Sequence, residues 1–280
     1  MEQENVAVGG ARLHTESRGS GPLVLLVVGG NGDPTVFDPL ADLLAARWTV
    51  VTWVRRGFVR SPVDDGPAGR LDDKLAADVD DAAALIERHG GPATVVGTSS
   101  GAVVALELLV RRPDLVARAV AHEPPLTELL DDAGAWRQRF AEVHAVYRTE
   151  GVVPAMAAFA AAVGLRGPTA PPETSREVPP ALAAMRERWP ANAAFWFDHE
   201  YGPYPRHDLD LDALARHVDR LVLAVGATSR AEDQLPSRPA AVLAARLGIG
   251  VTTVPGGHLG YVEEPAAFAA ALEDAVTPRS

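Results

Sequence analysis

The chain has 280 residues, 47% of them hydrophobic, a formal charge of −11 and no cysteine, enough for one large domain or two small ones. The acidic balance gives no electrostatic ground for binding nucleic acid or an anionic membrane, and the missing cysteines exclude disulfides, thiolate metal sites and cysteine nucleophiles. The opening MEQENVAVGG lacks a basic segment followed by an apolar one, and apolar runs such as PLVLLVV are far shorter than a membrane span, so a soluble cytoplasmic protein is expected.

Two short alternating stretches around Gly9-Gly10 predict a hairpin over 5–17. The continuous apolar run 22–28 reads as a strand buried on both faces, ending at Gly29-Gly30. Helical spacing over 37–47 precedes a second buried strand, 48–54, and the turn RRGFVRS. A long amphipathic helix over 71–90 carries acidic residues early and stops at Gly90-Gly91. A strand at 92–96, a helix at 100–112 closed by Pro113 and a strand at 115–123 follow. From about Pro124 to Arg220 no convincing strand is visible, and the block includes a Pro-rich loop, 166–180. The strand pattern resumes at 220–226, with a helix at 238–248, a strand at 250–254 and a last helix at 265–276. Strands alternating with helices over short connections predict an α/β fold: a mostly parallel central sheet with helices on both faces. The expected organisation is a core of 1–124 and 219–280 interrupted by a helical insertion, 125–218.

Ligands in such sheets sit beyond the carboxyl ends of the strands. Ser99 in Gly97-Thr98-Ser99-Ser100-Gly101, the turn Gly29-Gly30-Asn31-Gly32 and Glu123 all directly follow predicted strands, so all three should meet at that edge. A strand delivers Ser99 and a helix starts behind it, with glycines where the two must approach closely, as a nucleophilic serine requires. A serine hydroxyl also needs a base and an orienting group. His258, on the Gly-rich loop after the final strand, is the candidate base; His122 should point to the face of its strand opposite Glu123.

These residues resemble the α/β-hydrolases over nearly the whole length, through Gly29-Gly30-Asn31-Gly32, RRGFVRS, GTSSG, AHEPP and PGGHLGYVEEP. AHEPP and PGGHLGYVEEP look most like a bacterial branch often associated with secondary metabolism. The resemblance implies a serine, histidine and acid triad and a helical cap over the site. Most such hydrolases place the acid after the strand that follows the cap, in a Gly-x-x-Asp pattern, where this chain reads Gly226-Ala227-Thr228-Ser229. Glu123 is the candidate acid, a position that the related haloalkane dehalogenases also use; Asp233 or Glu232 are the alternatives. The oxyanion donors are expected to be the backbone N–H of Ser100 with that of Gly30 or Asn31. Two further departures are Val54, where the family commonly has aspartate, and Ser100, where it often has glycine.

In NAAFWFDHE the aromatic side chains cannot all share one helix face. Trp196, Phe197 and Glu200 are taken as pocket residues, and a mostly apolar pocket suits a medium-sized hydrophobic ester, lactone or diketone. The expected activity is serine hydrolysis of an ester, lactone or related acyl bond in a small-molecule substrate. A lyase or cyclase using Ser99 and His258 for proton transfer and a ligand-binding protein of the same fold are the other readings. No cofactor or metal is expected: no ligand spacing such as His-Glu-x-x-His occurs, and Gly29–Gly32 does not open a dinucleotide-binding helix.

Overall fold

The computed structural model describes residues 1–30, 32–64, 71–165 and 180–276. Strands β1 (Glu2–Val8) and β2 (Ala11–Arg18) form the expected hairpin and lead into β3 (Leu23–Val27). Helix α1 (Asp38–Leu44), β4 (Thr49–Trp53), α2 (Lys74–Arg88), β5 (Ala93–Thr98), α3 (Ser100–Arg111) and β6 (Val116–His122) follow. After them come α4 (Ala133–Glu150), α5 (Val152–Val163), α6 (Pro180–His199) and the short α7 (Leu211–Ala215). The chain then returns to the sheet with β7 (Leu221–Gly226), α8 (Ala227–Ala231), α9 (Ser237–Leu247), β8 (Val251–Val254), α10 (Gly260–Glu263) and α11 (Pro265–Val276). Each predicted strand and helix of the sheet region is present, with ends shifted by at most three residues, as expected where caps and fraying decide the boundary. The short helices α8 and α10 lack enough periods to show in the sequence pattern.

The eight strands form one sheet in the order β1-β2-β4-β3-β5-β6-β7-β8. Pairing is antiparallel from β1 through β2 to β4 and parallel from β4 onward. All five residues of β3 are buried. Leu23, Leu25 and Val27 enter the apolar layer under α2 and α3, and Val24 and Leu26 enter the layer under α1 and α11. This alternation is why β3 reads as an unbroken apolar run: a parallel strand covered on both faces has no side left for polar residues. A third apolar cluster, with Trp136, Phe140, Val143, Ala155, Val163, Phe197 and Tyr201, joins α4, α5 and α6 to one another. The helical block between β6 and β7 thus has a small core of its own. No helix among the described residues is long and apolar enough to cross a membrane.

The register fixes where the chemistry falls. Thr98 of β5 is level with His122 of β6, and His122 with Ala224 of β7. The next residues, Ser99 and Glu123, therefore leave the sheet side by side at its carboxyl edge, and β8 ends four residues before His258.

Candidate active site

Ser99 sits between β5 and α3 with φ 53° and ψ −125°. A side chain held in that region costs on the order of 1–3 kcal/mol, so surrounding structure must impose it. The Ser99 N–H donates to the His122 carbonyl oxygen at 2.9 Å, tying the turn to β6. A Cβ on Gly97 would lie 2.2 Å from the Gly101 carbonyl oxygen, and one on Gly101 would lie 2.2 Å from that of Val27. Only glycine at both places lets α3 cross β5 and β3 this closely. Ser100 opens α3, so its N–H has no acceptor within the helix, and the helix dipole there favours a negative charge.

Glu123 also has a positive φ, 51°, and is fully buried. Its N–H donates to the Ala224 carbonyl oxygen at 3.0 Å. Its Oε1 accepts from the Gly226 N–H at 2.9 Å, and its Oε2 accepts from His258 Nδ1 at 2.6 Å. Burial pushes this carboxyl up, but the His258 hydrogen bond and charge, His122 and the Gly226 N–H together outweigh burial and hold it at about 2. An ionised carboxylate only accepts, so the proton lies on Nδ1 and Nε2 is left as the acceptor. The His258 loop is braced in turn by Glu263, whose Oε2 accepts from the Gly257 N–H at 3.0 Å.

Glu232 and Asp233 are exposed beyond α8, and neither lines the cavity that holds His258. His122 faces the other side of β6, as the strand alternation predicts. It is fully buried against Phe268, at 5.4 Å between ring centroids, and Tyr261, at 6.4 Å.

Ser99, Ser100, Glu123 and His258 line one cavity. The rest of its wall is largely apolar, from Phe140, Phe159, Trp196 and Tyr201 of the helical block and from Leu235, Pro236 and Pro239 after β7. Two of the three expected pocket residues, Trp196 and Glu200, are on this wall. Phe197 is not: one residue further around α6, it stacks on Tyr147 with centroids 4.5 Å apart, inside the core of the helical block. The Trp196 indole lies directly over Gly30, where an added Cβ would meet Nε1 at 2.3 Å. Asn31, the other expected donor on this turn, lies outside the described residues. The turn is anchored further along by Asp33, whose carboxylate accepts from the Thr35 N–H and hydroxyl and from Arg188 of α6, the last at 2.7–2.8 Å.

Behind Ser100 lies a buried ionic cluster that sequence reasoning missed. Arg55, which follows β4, donates to Asp78 at 2.7 Å, to Glu200 at 2.7 Å, to the Gly29 carbonyl oxygen at 2.9 Å and to the Ser100 hydroxyl at 3.3 Å. The Ser100 hydroxyl donates to Glu200 at 3.2 Å. Lys74 bonds both Asp78 oxygens at 2.6 Å and lies 3.3 Å from Glu200, and the Tyr204 hydroxyl donates to Asp78 at 2.7 Å. Burial opposes the charge on Arg55, but Glu200 and Asp78 outweigh it and raise its pKa. Burial likewise pushes Asp78 up, and Lys74 and Arg55 more than reverse it. The sequence held one signal for this cluster. Lys74, Asp78 and Asp81 fall in helical phase with Leu85, on the buried stripe of α2.

The model of the alpha/beta hydrolase family matches residues 24–271. The chain belongs to that family. A Bacillus subtilis protein described as the uncharacterized hydrolase YraK is 32% identical to it over 274 residues, 95% of this chain and 93% of that one. The zearalenone hydrolase of Bionectria ochroleuca is 35% identical over 129 residues, covering 44% of this chain and 46% of that one. The crystal structure of the enol-lactonase from Burkholderia xenovorans LB400 superposes with a TM-score of 0.69 at 17% identity, covering 98% of this chain and 100% of that one. At that identity the likeness is one of fold.

Proposed function

We propose that this alpha/beta hydrolase is a serine hydrolase cleaving an ester, lactone or related acyl bond of a medium-sized, largely apolar small molecule. The observation that carries the reading is the 2.6 Å contact from His258 Nδ1 to the buried Glu123 carboxylate, in the same cavity as a strained Ser99. Ser99 Oγ attacks the acyl carbon while His258 Nε2 takes its proton and passes it to the leaving group. Glu123 keeps the Nδ1 proton in place and stabilises the imidazolium. The N–H groups of Ser100 and Gly30 receive the oxyanion, each such donor being worth about 3–4 kcal/mol at the transition state. Water activated by the same histidine then releases the acyl group. The helical block over 125–218 serves as a cap, supplying the apolar wall that selects the acyl part and excludes bulk water.

A fluorophosphonate probe should add to Ser99, seen as a mass shift on the peptide that contains it. Hydrolysis of a short 4-nitrophenyl ester should disappear in Ser99→Ala. Labelling at another residue, or undiminished turnover in Ser99→Ala, would sink the reading.

A further inference from the structure

Tyr201 follows the end of α6, and its ring is enclosed by Trp196 and Phe197, each at 5.0 Å between centroids, Phe140 at 5.4 Å and Phe159 at 5.8 Å. The residue is 3% exposed and lines the cavity. Its hydroxyl is buried and has no hydrogen-bond partner among the described residues. Tyr204, three residues on, is the internal contrast, since its hydroxyl is satisfied by Asp78. Leaving a buried hydroxyl unpaired costs on the order of 1–3 kcal/mol, and phenylalanine would fill the same space without that cost. Burial also raises the Tyr201 pKa, so the group stays an O–H donor across the neutral range.

The charges around the cavity narrow what such a donor can meet. No lysine or arginine is among the described residues that line it. The nearest buried cations, Arg55 and Lys74, are both engaged by Asp78 and Glu200. A carboxylate or phosphate on the substrate would be buried beside apolar side chains without a counter-charge, which is strongly unfavourable.

We propose that the Tyr201 hydroxyl is a specificity determinant that donates a hydrogen bond to a neutral oxygen on the otherwise apolar acyl part of the substrate. The substrate class is then an uncharged, oxygenated acyl compound. This rests on the cavity being the acyl-transfer site.

The test uses three kinds of probe: the 4-nitrophenyl ester of 3-phenylpropanoate, its analogues with a hydroxyl at the 3- or 4-position of the phenyl ring, and its 4-carboxy analogue. Binding is measured by calorimetry in Ser99→Ala, which holds the esters unreacted, with and without Tyr201→Phe. At least one hydroxylated ester should bind about tenfold more tightly than the parent. Tyr201→Phe should remove that advantage while leaving parent binding within twofold, and the carboxylated ester should bind worst. A purely structural tyrosine would weaken all the esters alike, and that result overturns the proposal. So does a hydroxyl advantage that is absent or survives in Tyr201→Phe, tight binding of the carboxylated ester, or no saturable binding of any probe. Turnover by the unsubstituted chain separates the two readings. A flat binding pattern with turnover strikes Tyr201 alone, and the expected pattern without turnover strikes acyl transfer alone.

Discussion

Glu123 and His122 leave the end of β6 on opposite sides of the sheet and meet burial in opposite ways. Glu123 keeps its charge because His258 and the Gly226 N–H receive it. Glu123→Gln removes the charge that stabilises the imidazolium, so kcat on a 4-nitrophenyl ester should fall about a thousandfold with little change in KM. Glu232→Gln and Asp233→Asn should stay within twofold of the unsubstituted chain. The reverse ranking would place the acid after β7. His122 has no partner on either ring nitrogen among the described residues, and burial drives its pKa to about 4 from an ordinary 6.5, with Glu123 pulling it up and His258 pushing it down. Between those values the unfolded chain holds a proton that the folded chain refuses, so this residue lowers stability as the pH falls from 6.5 toward 4. The full effect is about 3 kcal/mol. His122→Phe, placed among the rings of Phe268 and Tyr261, should gain on the unsubstituted chain by up to that amount over this range in urea unfolding, and equal slopes would refute it.

At the scale of elements, legibility followed burial geometry. β3, β4 and β5 were visible as apolar runs because both faces are covered, and Ser99 and His258 were visible because they sit where such strands end. Glu123 could be weighed only against two other carboxylates, since the path of the chain after β7 depends on α8, a helix of five residues. Phe197 was misplaced because a stretch with apolar residues on several faces does not say which face meets the cavity. The Arg55, Lys74, Asp78 and Glu200 cluster is not legible as a cluster for a different reason. Its members lie on three separate segments, and neither the phase of Lys74 and Asp78 on α2 nor the place of Glu200 beside Trp196 says that they meet.

Over the whole molecule, that cluster is one link between the helical block and the sheet, beside the Arg188–Asp33 pair. Glu200 comes from just beyond α6, while Arg55, Lys74, Asp78 and Ser100 belong to the core. Removing one partner of a buried ion pair costs about 3–5 kcal/mol, because the remaining charge is left uncompensated. Glu200→Gln should therefore destabilise the chain by that order in urea unfolding, and amide exchange should quicken in α6 more than in β5. A change confined to β5 would show that the cluster does not tie α6 down.

With Glu123, just past β6, bonded to His258, the segment after β7 reaches the cavity with no carboxylate among its lining residues. It supplies Leu235, Pro236 and Pro239 to the cavity instead. This panel of one leucine and two prolines takes no part in the contacts that hold His258, so the breadth of the chamber can be retuned at these three positions while Ser99, Glu123 and His258 stay where they are.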